Sequence, residues 1–463
     1  MNAPDQVNSF ADQRHKVSNT QQKVIARGES GDLLAGEFQR RVAGVAGCLL
    51  QRPEQRWALV CDDTPWFAAG FLALAQARKT LILPQTGGPE SAAEAQAAAV
   101  LTDQPARFPS FASVDVTAVP DEAGAPVSTD LDDALPVELY TSGSTGRPKR
   151  VDKLLGQLRV EVTALEARWG QALGDALVLG SVPHHHLYGL LFRVLWPLWA
   201  GRPLYAPVCA QAHEFKAAAR RFGRCLIVSS PAFLTRVTDF AMLQPPDAFA
   251  ALFSSGAPLP AATAAKIAGE MGRAAIEVYG STETGGIAWR TWEPDKGQTA
   301  WQPFAEVETA LLGATPGLLR VRSPWTWKAD WMDTGDLAQM LPQRRFLLCG
   351  RADSVLKVED KRVSLAEMEQ RLVAHGLVSE ARLLVLKDKR SSVGAVVVLS
   401  AAGRRQLGQT GTRGVRKALR DGLRAWYDPV LVPRKWRFLE AMPDNAMGKI
   451  EQAGLQALFT ERR

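Results

Sequence analysis

At 463 residues the chain is too long for one ordinary hydrophobic core, so at least two domains are expected. A hydrophobic fraction of 46% with 22% charged residues describes a globular protein. No apolar run approaches the roughly 18 to 20 residues of a membrane span, and the polar start over 1–23 has no signal-peptide core, so a cytoplasmic protein without a membrane partner is expected.

The first 51 residues read as helical and polar. From Trp57 the pattern sharpens into a strand over 57–61, a helix over 64–77 and a second strand over 80–84, a parallel βαβ unit. Further short apolar strands are predicted at 176–179, 203–207, 224–228, 253–255 and 275–279, with helical stretches between most of them. Such alternation gives a doubly wound α/β fold, whose ligands sit at the carboxyl ends of the strands. Beyond Arg290 the strands shorten and turn residues multiply, as at 317–322 and 345–350, which predicts a small β-rich subdomain. Trp325, Trp327 and Trp331 fall at even spacings and predict packing on one strand face. An α+β module then runs to the C-terminus, with a helix over 364–374, strands over 380–386 and 394–399, a helix over 414–425 and a strand over 435–438.

The net charge of +7 is unevenly distributed along this chain. Residues 354–463 carry 21 Lys and Arg against 12 Asp and Glu, a net of +9. That suits an anionic partner such as a phosphorylated cofactor or an acidic carrier protein. No nucleic-acid partner is expected. The five cysteines are scattered, with no C-x-x-C pair, and predict reduced, mostly buried thiols.

Thr141, Ser142, Gly143, Ser144, Thr145, Gly146 and Lys149 form a loop of hydroxyls and glycines that follows an apolar run and ends in a lysine. Inward-turned N–H groups, hydroxyls and a mobile positive charge can wrap a polyphosphate. It is not a Walker loop, because Gly143 and Gly146 are too close and Lys149 is followed by Arg150 rather than a hydroxyl residue. Tyr279-Gly280-Ser281-Thr282-Glu283 surrounds one acid with hydroxyls, which suits a phosphate contact at Thr282 and a magnesium carboxylate at Glu283. Tyr279 can stack on a base. Asp336 and Arg351 lie in loops where a carboxylate can take both ribose hydroxyls, and Lys449 sits on a glycine turn near the C-terminus. His184, His185 and His186 are consecutive, so they do not converge on one metal, and no companion Cys or acid spacing completes a site. A wall of an acid pocket is the reading for His186, and a structural role for His184 and His185.

In order and spacing these stretches resemble the adenylate-forming superfamily of acyl- and aryl-CoA synthetases, over roughly residue 57 to the C-terminus. The resemblance implies a large N-terminal domain over 1–352, built of doubly wound sheets plus the β-rich subdomain, and a smaller mobile α+β C-terminal domain over 353–463. It assigns phosphate binding to the Thr141–Lys149 stretch and the adenine side to Ser255, Gly256, Ala257 and Tyr279. Asp336 and Arg351 take the ribose side, Asp353 the hinge, and Lys449, Thr282 and Glu283 the catalytic positions, with Glu283 holding Mg2+. The acid pocket falls on His186, Phe233, Gly280 and Gly285. Its segments are small and apolar, which suits a neutral aromatic or medium acyl carboxylic acid rather than an amino acid.

The implied chemistry is ATP-dependent formation of an acyl-adenylate with release of pyrophosphate, then transfer to a pantetheine thiol. Two positions depart from the family's pattern. Asp360 stands where a glycine usually faces the pantetheine path, and Arg150 stands where glycine commonly follows the lysine of the phosphate loop. The compact chain and the sequence around Glu359–Val363 resemble stand-alone ligases of fatty-acid-synthase-like or aryl polyene pathways. The expected acceptor is therefore an acidic holo-acyl carrier protein, with free CoA as the alternative and a non-catalytic nucleotide-binding regulatory protein as a remote one.

Overall fold

The computed structural model describes residues 22–29, 31–120, 131–142, 148–243, 246–292, 299–352, 355–358, 361–387, 391–424, 426–427, 429, 431–443 and 452–460. They fall into two units. One holds the described residues up to Gly286 together with Pro324–Lys328, and the other holds those of Ile287–Ser323 and of Ala329 onward.

The first unit contains two largely parallel sheets. One runs in the order Ala112–Asp115, Ala99–Thr102, Arg56–Val60, Thr80–Leu83, Pro136–Ser142 and Pro148–Leu154, with only the last pair antiparallel. The predicted βαβ unit is present as Arg56–Val60, helix Thr64–Gln76 and Thr80–Leu83. Asp63 caps that helix by accepting from the Trp66 N–H at 2.9 Å, and a proline occupies its first turn, as helix starts favour. Helix and sheet approach so closely that a Cβ on Gly70 would lie 2.7 Å from Leu59 Cδ1. Trp57, Leu59, Leu81, Leu83 and Leu101 are fully buried, because a parallel sheet covered on both faces needs apolar residues at successive positions.

Within this unit the other sheet has, in order, Ile276–Ser281, Phe249–Ser255, Cys225–Ser229, Leu177–Gly180, Leu204–Tyr205, Val24–Gly28 and Gly31–Leu34. These seven strands are parallel up to the last pair. The five strands predicted between 176 and 279 are all found within it. The helical reading of the first 51 residues needs correction. A hairpin, Val24–Gly28 with Gly31–Leu34, precedes helix Ala35–Leu50. Four- and five-residue strands leave little periodicity to read, and this hairpin exists because Ala26 and Arg27 pair with Leu204 and Tyr205, far along the chain. Behind the sheet, Trp169, Phe192, Trp196 and Phe253 pack ring against ring at centroid distances of 5.0 to 6.2 Å.

In the second unit, Glu308–Leu312, Gly317–Arg322, Met332–Met340 and Phe346–Arg351 form an antiparallel sheet in that order, the predicted β-rich part. The C-terminal module has helix Leu365–Ala374, the strands Val378–Lys387, Ser391–Leu399 and Lys435–Leu439, and helices Ala401–Arg424 and Gln452–Thr460. Met368, Leu372, Ala381, Val397, Val415 and Leu419 make its core. The helix predicted over 414–425 begins at Ala401 and is broken at Gly411, whose φ of 64° is not helical.

The three tryptophans do not share a strand. Trp325 is buried at 1% exposure and Trp327 is 41% exposed, while Trp331 lies under the guanidinium of Arg322. Lys328 and Ala329 both take positive φ and break any extended run between Trp327 and Trp331. All five cysteines are free thiols, with Cys61, Cys209 and Cys225 buried. Among the described residues no helix is long and apolar enough to cross a membrane.

Candidate active site

The strands Pro136–Ser142 and Pro148–Leu154 are the two arms of a hairpin, with Thr141 opposite Lys149 and Ser142 opposite Pro148. Gly143, Ser144, Thr145 and Gly146, between these arms in sequence, lie outside the described residues, as do Asp353, Asp360 and Lys449. Lys149, near the start of the second arm, donates to Glu283 Oε1 at 2.7 Å. Burial pushes the Glu283 carboxyl up, but the Lys149 hydrogen bond and charge outweigh it and hold the group below its ordinary value. Arg150 turns away from this pair. Its guanidinium sits 2.9 Å from Asp152 and 3.7 Å from Glu138, so the extra cation is matched locally.

Glu283 lies on a turn closed by side chains. Ser281 N–H donates to Thr284 Oγ1 at 3.0 Å, and Thr284 N–H donates to Ser281 Oγ at 3.1 Å. Thr282, half-buried, lies inside this turn. The chain doubles back so tightly that a Cβ on Gly280 would lie 2.2 Å from the Gly285 carbonyl oxygen. Gly285 has φ of 67°, and a Cβ there would meet Trp325 Cδ1 at 2.5 Å and Glu161 Oε2 at 2.6 Å. Both glycines, which the resemblance placed in the acid pocket, thus also have a backbone reason to be glycine.

The other predicted residues of this unit stand at the carboxyl ends of neighbouring parallel strands, where a doubly wound sheet binds ligands. Ser255 ends its strand beside Val278 and donates to the Val278 carbonyl at 2.7 Å. Gly256, at φ of 96°, and Ala257 follow in the open, next to Tyr279 and Gly280 of the adjacent strand. Phe233 follows the strand Cys225–Ser229 on helix Pro231–Arg236, whose cap Ser230 accepts from the Phe233 N–H. With Gln211, His213 and Arg236 it lines a cavity of about 450 Å³.

His186 follows the strand Leu177–Gly180 and precedes a single helical turn, its ring 4.3 Å from that of His185. The loop that carries it is anchored from below. His184 is buried, with Nδ1 paired to Thr64 Oγ1 at 3.2 Å and Nε2 to the Cys61 carbonyl at 2.8 Å. Burial, with Arg193 and His185 nearby, pushes the His184 imidazole down to about 3, and burial takes His185 to about 4. Both rings are therefore neutral near pH 7. Arg193, fully buried on a π-helical turn, donates to the Val182 carbonyl at 2.7 Å and to Thr64 Oγ1 at 3.2 Å.

In the second unit, Asp336 and Arg351 are opposite each other on adjacent strands, 3.7 Å apart. Thr334 organises both: its hydroxyl accepts from the Asp336 N–H at 3.1 Å, and its carbonyl accepts from Arg351 at 3.3 Å.

Two charged residues escaped the motif reading. Lys153 is 1% exposed, and its ammonium donates to the carbonyls of Glu283 at 3.0 Å and Trp325 at 2.6 Å. Glu161 is 3% exposed, and its Oε1 accepts from the Gly286 N–H at 2.6 Å. Its Oε2 is buried without a hydrogen-bond partner. Burial lowers the Lys153 ammonium from its ordinary value and pushes the Glu161 carboxyl up to about 7. A signal existed for Glu161, because it interrupts the apolar stripe Leu155, Leu158, Val162, Leu165 and Trp169 of its helix.

The AMP-binding enzyme family matches residues 13–328. A mitochondrial malonate–CoA ligase of Bos taurus is 24% identical over 380 residues, covering 68% of this chain and 63% of the relative. A 4-coumarate–CoA ligase of Rhodobacter capsulatus is 30% identical over 311 residues, covering 67% and 73%. The matched stretch is thus a little under two thirds of the malonate–CoA ligase's length. Among solved structures, ATP-bound MatB from Rhodopseudomonas palustris has a TM-score of 0.77 at 18% identity, over 98% of each chain. The O-succinylbenzoate coenzyme A synthetase of Bacillus subtilis, in complex with AMP, has a TM-score of 0.76 at 18% identity, again over 98% of each. At that identity the likeness concerns the fold, a large mixed α/β body with a smaller C-terminal part.

Proposed function

Because the chain belongs to the AMP-binding enzyme family, we propose that it activates a carboxylic acid with ATP to an acyl-adenylate and transfers the acyl group to the thiol of coenzyme A. The Lys149–Glu283 pair, 2.7 Å apart at the mouth of the phosphate hairpin, carries this reading. It sets one cation and one carboxylate side by side, as a magnesium nucleotide requires. The sequence placed a carrier protein first as acceptor. The relatives' names, malonate–CoA ligase and 4-coumarate–CoA ligase, favour CoA, and carrier loading becomes the second reading.

Among the described residues no three His, Cys, Asp or Glu side chains group to hold a metal. A cation held by the Glu283 carboxylate and by substrate phosphate oxygens fits this donor set, and that is how Mg2+ is usually bound. Mg2+, when bound, neutralises charge on the phosphates. When ATP arrives, Lys149 exchanges its carboxylate partner for phosphate oxygens, and Tyr279, Ser255 and Gly256 line the adenine side. Asp336 takes the ribose hydroxyls. The substrate carboxylate attacks the α-phosphorus and the bond to the bridging oxygen breaks, releasing pyrophosphate, while Lys449 stabilises the developing charge. In the second half-reaction the thiol sulfur attacks the acyl carbon, loses its proton, and AMP leaves. We place the boundary of the moving C-terminal body, 353–463, at Asp353, and the acid among neutral aromatic or medium acyl carboxylates.

The test is ATP/pyrophosphate exchange over benzoates, cinnamates and short to long fatty acids, followed by product analysis with CoA and with holo-acyl carrier protein. Exchange with one acid class is expected, then a CoA thioester. ATP binding without exchange for any acid overturns the enzymatic reading, and transfer to the carrier alone overturns the CoA assignment.

A further inference from the structure

Lys149, Val151 and Lys153 share one face of the strand Pro148–Leu154, by the two-residue period of an extended chain. The two lysines on that face grip the two ends of a single residue: Lys149 meets the Glu283 carboxylate, and Lys153 meets the Glu283 carbonyl. The next helix, Leu155–Leu173, continues the hold. Glu161 accepts from the Gly286 N–H, and Gln157 donates to the Thr326 carbonyl at 2.8 Å. Trp325, tied to Lys153 by its carbonyl, donates from Nε1 to the Gly286 carbonyl at 3.1 Å. The turn that carries Glu283 is therefore fastened on its buried side by one short stretch of chain, 149–161. Burying an ammonium whose hydrogen bonds go to two main-chain carbonyls is a costly way to fill space, where an apolar side chain would serve a purely structural purpose better.

We infer that Lys153 and Glu161 are positioning residues, which hold the two ends of the Glu283–Gly286 segment so that the Glu283 carboxylate presents itself to the metal of a bound nucleotide. The inference rests on the reading of Glu283 as a magnesium carboxylate. Groups that orient a metal-binding carboxylate commonly change affinity by 10- to 100-fold when removed.

The experiment titrates Mn2+ into the full-length protein at saturating ATP, reading free Mn2+ by electron paramagnetic resonance. Metal-free ATP binding and thermal unfolding are measured alongside. Glu283→Gln and Lys153→Met should each weaken Mn2+ binding about tenfold, with metal-free ATP affinity of Lys153→Met within about twofold of wild type. The double variant should bind Mn2+ no more weakly than Glu283→Gln alone, because Lys153 acts through Glu283. Unchanged Mn2+ binding in Glu283→Gln would overturn the metal reading and this inference with it. A weakened Glu283→Gln beside an unaffected Lys153→Met would overturn the inference alone, as would additive losses in the double variant. If Lys153→Met shows no cooperative unfolding transition, Glu161→Leu carries the test. It should weaken Mn2+ binding several-fold, and wild-type affinity in that variant overturns the inference.

Discussion

Lys149 and Glu283, 134 residues apart in sequence, form an ion pair of 2.7 Å, which in the proposed reaction each gives up for the magnesium nucleotide. The pair keeps the Glu283 carboxyl below its ordinary value and holds both side chains in place before substrate arrives. Glu283→Gln is expected to lower kcat/KM for pyrophosphate exchange about a hundredfold, as loss of a preorganised charge in an active site commonly does. Lys149→Ala should act mainly on ATP, raising its KM about tenfold, the cost of one charge-assisted hydrogen bond. Steady-state kinetics at fixed acid separate the two outcomes.

Glu161 gives the fold a pH signature. Its carboxyl titrates near 4.5 when unfolded and at about 7 when buried in the fold, so the folded state holds one extra proton between those values. Stability from this group is full below 4.5 and falls as pH rises toward 7, by roughly 3 kcal/mol in all. Glu161→Gln has no proton to lose and should flatten that decline. Denaturant unfolding at several pH values between 4.5 and 7.5 checks it, and an unchanged slope in the variant assigns the decline to other groups.

Gly285 and Gly256, both at positive φ, should respond differently to alanine. At Gly285 the added methyl meets Trp325 and Glu161 as well as an unfavourable φ, and a loss of about 3 kcal/mol is expected. At Gly256 the space is open and only backbone strain remains, about 1 kcal/mol. Equal losses in chemical denaturation would contradict this account.

In the proposed reaction Asp336 bears on the nucleotide rather than the acid. Asp336→Ala should raise KM for ATP about tenfold while leaving KM for the acid unchanged. It should also abolish any preference for ATP over 3′-deoxy-ATP, since the carboxylate that reads the hydroxyl is gone. A preserved preference would place ribose recognition elsewhere.

The role proposed for Lys449 belongs to the first half-reaction alone. Lys449→Ala is expected to abolish pyrophosphate exchange yet still convert a supplied acyl-adenylate to the thioester. Comparable loss of both steps would remove the role assigned to it.

Much of this was legible in the sequence because the signals are local. The stretch Thr141–Lys149, the Tyr279–Glu283 turn and the acid at Asp336 are each contiguous, so the proposed chemistry of each could be read from residue type and order. The central strands were legible too, since a sheet buried on both faces demands unbroken apolar runs such as Leu81-Ile82-Leu83. What required the tertiary structure was partnership at long range. The hairpin of Val24–Gly28 and Gly31–Leu34 forms through pairing with residues 204–205, and the three tryptophans share no strand, since Trp325 lies in a turn, Trp327 in a short 3-10 turn, and positive φ at Lys328 and Ala329 redirects the chain before Trp331. Lys153 looks in sequence like an ordinary surface charge on a strand, and Glu161 shows there only as an acid interrupting the apolar stripe of its helix. Only the folded chain brings the carbonyls of Glu283 and Trp325 and the N–H of Gly286 against them. Hydrogen bonding and burial depend on which distant segment arrives at a side chain, and no local period encodes that.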